Sequence, residues 1–166
     1  SHKQFTELPP PARHLVDMNS YKYFIEGEPA LSLIAQLGCP FHCTFCSGRN
    51  SPFLRKIRLR DIDAVVDEVE MLYLTYGVKG FMFYDDELNV NKNMVPMMNK
   101  LCDLQDKHGV DFMLRGFVKA ELFNDEQADA MYRAGFRWLL TGFESGDPTI
   151  LSNIKKIAKR EDNTRC

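Results

Sequence analysis

From Leu31 onward, short apolar runs alternate with longer segments of helical period, and this alternation restricts the fold more than any other feature of the sequence. A strand-length run followed by an amphipathic helix, repeated along a chain, is accommodated by βα units around a mainly parallel sheet. The first run is Leu31-Ser-Leu-Ile-Ala-Gln-Leu37, ending at Gly38. Over residues 61–76, Ile62, Val65, Val69, Leu72 and Tyr76 recur at three- and four-residue steps, which predicts a helix stopped by Gly77. The second strand is expected at Gly80–Tyr84, and the next helix from about Asn93 and Pro96 to Gly109. A third strand is expected over Asp111–Leu114, closing on Arg115-Gly116. Asn124 with Gln127 predicts a capped helix running to Ala134, and Arg137–Thr141 a fourth strand. Asp147 and Pro148 then open a helix expected to carry Ile150, Leu151, Ile154 and Ile157. Four βα units result.

Residues 1–28 hold Pro9, Pro10, Pro11 and Gly27 without periodicity and read as an extended lead-in or linker, with the organised region at 29–166. A chain of 166 residues suits one core rather than two. Its net charge of −2 gives no overall field that would favour nucleic acid or a membrane surface. The longest apolar run is interrupted by Ser32 and Gln36, so it cannot cross a bilayer, and no secretory leader is evident. The expected compartment is the cytoplasm.

Three of the five cysteines fall within eight positions, in Cys39-Pro-Phe-His-Cys43-Thr-Phe-Cys46. A disulfide framework would distribute cysteines in pairs, so a reducing compartment and a metal fit better. Thiolates four and then three residues apart can each hold a different iron of a cuboidal cluster, leaving one iron without a protein ligand. Zinc held by the three cysteines and His42 is the competing reading, although His42 adjoins Cys43 and would have to turn back sharply. Unliganded structural cysteines are the third.

The spacing C-x3-C-x2-C after a first strand, with the aromatic Phe45 before the last cysteine, resembles the signature of the radical S-adenosylmethionine (SAM) superfamily. That resemblance extends from about residue 31 through the fourth strand. It implies a [4Fe–4S] cluster on Cys39, Cys43 and Cys46 whose open iron is chelated by SAM. It also implies an enzyme that reductively cleaves SAM to a 5′-deoxyadenosyl radical, using an external flavodoxin- or ferredoxin-like electron donor and a small-molecule substrate. The implied fold is a partial parallel TIM-like barrel. Cores of the family have about six units, so the last two are expected to lie outside these four. The open edge left behind is then exposed or covered by a second copy of the chain.

The ends of the remaining strands complete the candidate site, because ligands in parallel βα folds gather there. Asp85, Asp86 and Glu87 follow the second strand and lie where many members of the family carry Gly-Gly-Glu, whose backbone and acid receive the methionyl amino group. A solvated acidic turn and a divalent metal site are the other readings. Glu144 and Ser145, in Gly142-Phe-Glu-Ser-Gly-Asp147, resemble the segment near the ribose and methionyl end of SAM, and the same turn could simply cap a helix. Arg115 is placed to pair with the methionyl carboxylate, or is an ordinary surface arginine. Phe45 completes the cofactor-binding set. The Pro-rich lead-in, the Asp-Asp strand end and the Gly-Phe-Glu-Ser-Gly-Asp segment together resemble members that carry a cobalamin-binding domain before the radical core, which implies a cobalamin-dependent methylase. An iron–sulfur electron-transfer or sensor module, or a zinc-stabilised interaction domain, would share the cysteines.

The basic stretch Arg49, Arg55, Lys56, Arg58 and Arg60 reads as a solvated connector. Cys102 reads as a small core residue, and His14, His42 and His108 as histidines without evident partners.

Overall fold

Residues 9–166 are described by a computed structural model, in which the predicted alternation becomes one five-stranded sheet with helices packed against it. In chain order the elements are β1 (Phe24–Ile25), β2 (Glu28–Leu33), β3 (Gln36–Leu37), β4 (Arg58–Leu59), α1 (Ile62–Tyr76), β5 (Gly80–Phe83), α2 (Met94–His108), β6 (Met113–Phe117), α3 (Asp125–Ala134), β7 (Phe136–Leu140), α4 (Pro148–Asn153) and α5 (Arg160–Arg165). The sheet runs β1-β2-β5-β6-β7. β2, β5, β6 and β7 are parallel, and β1 pairs antiparallel with β2. β7 forms the far edge, without a strand on its outer side among the described residues.

The register explains the core. Leu31 aligns with Phe81, Phe81 with Leu114, and Leu114 with Phe136, so one face of the sheet is a row of large apolar side chains. Val65, Val69 and Leu72 of α1, Met94, Met97, Met98 and Leu101 of α2, and Met131 of α3 close over it. Burying each such side chain contributes about 1.5–3 kcal/mol. On the opposite face Ile25, Ala30 and Met82 form a smaller cluster with Tyr23, Met113, Phe117 and Leu140.

The helix ends follow the expected capping chemistry. Asp61 accepts the N–H groups of Asp63 and Ala64 at the start of α1, and Gly77 ends it in the left-handed region. Asn124 accepts from Gln127 at the start of α3, and Asp147 from Thr149 and Ile150 at the start of α4.

Four expectations change. The first strand leaves the sheet at Leu33, and Gln36–Leu37 instead forms a separate hairpin with Arg58–Leu59. β6 runs through Gly116 to Phe117 instead of ending at Leu114. Gly116 is tolerated there because a side chain at that position would meet the Phe136 ring at 3.1 Å. α4 ends at Asn153, leaving Ile154 and Ile157 outside it, because Lys155 turns the chain into the left-handed region. The described part of the lead-in is docked rather than extended. Arg13 donates to the Ser32 carbonyl at 2.8 Å and pairs with Glu68, a buried acid of α1 that Arg60 also meets at 2.6 Å. Beyond it, the Glu26 carboxylate, in the turn between β1 and β2, accepts the indole N–H of Trp138 of β7. No helix among the described residues is long and apolar enough to cross a membrane.

Candidate active site

Because four strands are parallel, the segments after β2, β5, β6 and β7 emerge on one side of the sheet. These are the loop bearing Cys39, Cys43 and Cys46, the acids Asp85–Glu87, the stretch from Val118 to Glu121, and the turn from Thr141 to Ser145. Direct contacts join them. The Thr44 N–H donates to the Ile154 carbonyl at 2.8 Å, which ties the cysteine loop to the chain just past α4. The Lys119 ammonium lies over the Phe41 ring.

The first half of the cysteine loop is held from several sides. The Gly38 N–H donates to the Asp86 carboxylate at 2.8 Å, and the Cys39 N–H to the Leu54 carbonyl at 3.0 Å. Arg55 donates to the Pro40 carbonyl at 2.8 Å and contacts the His42 ring. Cys39 and Cys43 are half-buried, Cys46 is exposed, and all three are free thiols. Phe45 is exposed beside Cys46. Burial pushes the Cys39 thiol up, and the negative charges of Glu87 and Asp86 push the same way, against the Phe41 amide and the Lys119 ammonium.

Glu87 is the one acid of the three whose carboxylate is not committed to the loop. Burial pushes its carboxyl up to about 7, against the pull of Lys119 and Lys156. Both lysines are themselves buried and paired. Lys119 meets Glu121 at 2.5 Å, and Lys156 donates to the Gly142 carbonyl and meets Glu144 at 3.2 Å. Glu144 adopts a left-handed backbone at φ +60°, a conformation that costs a non-glycine residue energy and turns the segment back toward Lys156.

The donor set can be tested against a cluster and SAM. Among the described residues no three His, Cys, Asp or Glu side chains converge on a single-ion site. A cuboidal cluster makes a different demand, one thiolate on each of three irons, and three free thiols within eight residues can supply it. Next to them, the Gln36 amide oxygen is buried without a donor and the Glu87 carboxyl is half-buried. Together they offer acceptors for an ammonium group at the base of the loop. The residues present fit both groups.

Not every expected residue joins this assembly. Arg115 lies in the middle of β6, its guanidinium 5.2 Å from the Trp138 ring and 3.4 Å from the Tyr23 hydroxyl, so it is neither at a strand end nor an ordinary surface arginine. The Ser145 hydroxyl accepts the Asp147 N–H at 3.0 Å and shapes the turn before α4. Asp85 is buried, and its carboxylate accepts the Ala35 and Gln36 N–H groups. Within the basic stretch Arg55, Arg58 and Arg60 are anchored rather than solvated, on the cysteine loop, over Phe53 and on Glu68, while Lys56 is exposed. His108 finds Glu70 at 2.5 Å, and Cys102 packs half-buried against the core. Sequence reasoning missed Lys119, Lys156 and Gln36. Lys119 follows β6 by two residues, and the strand-end rule would have found it had that strand been extended to Phe117.

The family model of the radical SAM superfamily matches residues 33–166. An uncharacterised methyltransferase from Pyrococcus horikoshii is 31% identical over 153 residues, covering 90% of this chain and 31% of that protein. An anaerobic magnesium-protoporphyrin IX monomethyl ester cyclase from Rubrivivax gelatinosus is 30% identical over 133 residues, covering 78% of this chain and 23% of that protein. The chain thus spans a third or less of the length of these relatives. Among solved structures, the radical SAM methyltransferase TsrM from Kitasatospora setae, with cobalamin and a [4Fe–4S] cluster bound, superposes with a TM-score of 0.73 at 21% identity over 84% of this chain and 26% of that one. That likeness gives the fold, a curled parallel sheet forming part of a TIM-like barrel.

Proposed function

Because the chain belongs to the radical SAM superfamily, we propose that residues 29–166 form the N-terminal part of a radical SAM core and that the whole protein is a cobalamin-dependent methylase. Cys39, Cys43 and Cys46 would hold a [4Fe–4S] cluster, with SAM on its open iron. When bound, the pair supplies the one-electron reductive cleavage of SAM to methionine and a 5′-deoxyadenosyl radical, with the electron from a flavodoxin- or ferredoxin-like donor in the cytoplasm.

The observation that carries this reading is the meeting of the three-thiol loop with Glu87, Lys119 and Lys156 at one end of the parallel sheet. The thiols would be the cluster's ligands. Glu87 and the Gln36 amide oxygen would accept from the methionyl ammonium. Phe45, exposed beside Cys46, would flank the cluster, and Glu144, held by Lys156, would border the ribose of SAM. Lys119 offsets negative charge gathered around Cys39. The methylase assignment draws support from the Pyrococcus horikoshii relative, which is named as a methyltransferase.

Anaerobic reconstitution tests the ligand set. The protein should take up about four irons and four sulfides per chain and turn brown, whereas a Cys39→Ala, Cys43→Ala, Cys46→Ala variant should take up neither. Colourless protein with stoichiometric zinc would overturn the reading.

A further inference from the structure

We propose that Asp85 and Asp86 are positioning residues that suspend the cysteine loop from the end of β5, leaving Glu87 as the one acid of the three whose carboxylate makes no bond to the loop. This rests on the radical SAM reading of the same site and goes beyond it, because it assigns the two aspartates to the loop rather than to the cofactor.

The parallel ladder between β2 and β5 makes its last backbone bond from the Tyr84 N–H to the Leu33 carbonyl, at 2.8 Å. Past that rung the first strand turns out of the sheet, and the N–H groups of its next residues lose their strand partners in a buried place. An orphaned buried amide is costly, so something must accept from each of them. Asp85 takes two. Its Oδ2 accepts from Ala35 at 3.2 Å and its Oδ1 from Gln36 at 2.5 Å, with the residue only 1% exposed. Asp86 takes the next, its Oδ2 accepting from Gly38, the residue before Cys39. The buried Gln36 side chain completes the set by donating to the Glu87 carbonyl at 2.6 Å.

Residues 85–87 therefore bind residues 35, 36 and 38 through four hydrogen bonds, three of them to aspartate oxygens. The opposite side of the loop has no slack. The Arg60 N–H holds the Ala35 carbonyl at 2.9 Å, and Gly38 lies so close to the Lys56 carbonyl that a side chain there would come within 2.3 Å of its oxygen. The height of Cys39 above the sheet is thus set by two carboxylates. A glycine pair at 85 and 86 could not do this, because it has no side-chain acceptors. Both oxygens of Asp85 already accept amides within the fold, at a residue only 1% exposed, so an incoming ammonium would have to compete with them.

The test uses Asp85→Asn, Asp86→Ala and Glu87→Gln in the full protein: the first turns one of two accepting oxygens into a donor, and the second removes the single acceptor of the Gly38 N–H. Reconstituted Asp85→Asn and Asp86→Ala should lose the cluster roughly tenfold faster in air than the wild type, since each leaves a buried N–H without its acceptor. The clusters that remain should still change their electron paramagnetic resonance signal when SAM is added. Glu87→Gln should do the opposite, keeping the cluster and losing the response. If Asp85→Asn does not fold by circular dichroism, Asp86→Ala carries the test, because its acid is exposed and makes one bond. Hydrogen exchange in the cluster-free protein gives an independent reading, with protection expected to fall at whichever of Ala35 and Gln36 faces the new amide nitrogen in Asp85→Asn and at Gly38 in Asp86→Ala. Wild-type cluster lifetime together with a lost SAM response in the aspartate variants would overturn the proposal and make the aspartates ligand groups. A wild-type protein that takes up no cluster would instead overturn the functional reading, and the exchange experiment would still decide the clamp.

Discussion

The ammonium of Lys119 lies 4.3 Å from the centre of the Phe41 ring, so the end of β6 grips the cysteine loop through a cation–π contact. The same ammonium pairs with Glu121, and the two side chains are only 3% and 7% exposed. Removing one partner of such a pair leaves a buried charge without compensation. Lys119→Met should therefore lower the stability of the cluster-free protein by about 3–5 kcal/mol. Combining it with Glu121→Leu should restore most of that. Urea unfolding of the three proteins checks this, and equal midpoints for the single and double variants would contradict it.

Burial holds the carboxyls of Asp85 and Glu87 near 7, above their ordinary values of 3.8 and 4.5. An acid whose pKa is raised on folding binds its proton more tightly in the native chain. Its contribution is present at low pH and is lost as pH rises through the native pKa. The cluster-free protein should accordingly lose stability between about pH 4.5 and 7 through these two groups. Glu87→Gln should make the slope shallower across that window by removing one of them. Unfolding free energies at a series of pH values would show it, and parallel profiles would count against a raised Glu87.

Gly38 combines a backbone φ of +95° with a carbonyl 2.3 Å from where its side chain would begin. Gly38→Ala should cost about 3 kcal/mol from strain and overlap together. It should also abolish cluster uptake, because relief requires the Lys56 segment and the cysteine loop to move apart. A variant that unfolds at the wild-type midpoint and binds iron normally would show that the approach is not tight.

Much of this was legible in the sequence, and the rest was hidden for identifiable reasons. The helices at 62–76 and 125–134 announce themselves through their periodicity and through Asp61, Asn124 and the closing glycines, all of which are local signals. The cysteine spacing is local too. The end of the first strand is not, because nothing within Leu31–Leu37 reveals that Asp85, some fifty residues away, takes the amides of Ala35 and Gln36. Gly116 looked like a stop but sits within β6, where it makes room for Phe136 of the neighbouring strand. That one misplacement drew attention to Arg115 and away from Lys119. The docking of the lead-in was equally invisible, since Arg13 depends on Glu68 of α1 and Glu26 on Trp138 of β7, pairings between residues far apart in the chain.

If Cys39, Cys43 and Cys46 hold a cluster with one iron open to SAM, the cluster must sense SAM directly. Electron paramagnetic resonance of the anaerobically reconstituted, reduced protein, recorded with and without SAM, tests this most directly. A reduced-cluster signal whose g values and line shape change when SAM is added is the expected result. A signal that stays the same at saturating SAM would rule out chelation, and would leave an iron–sulfur module that transfers or senses electrons without acting on SAM.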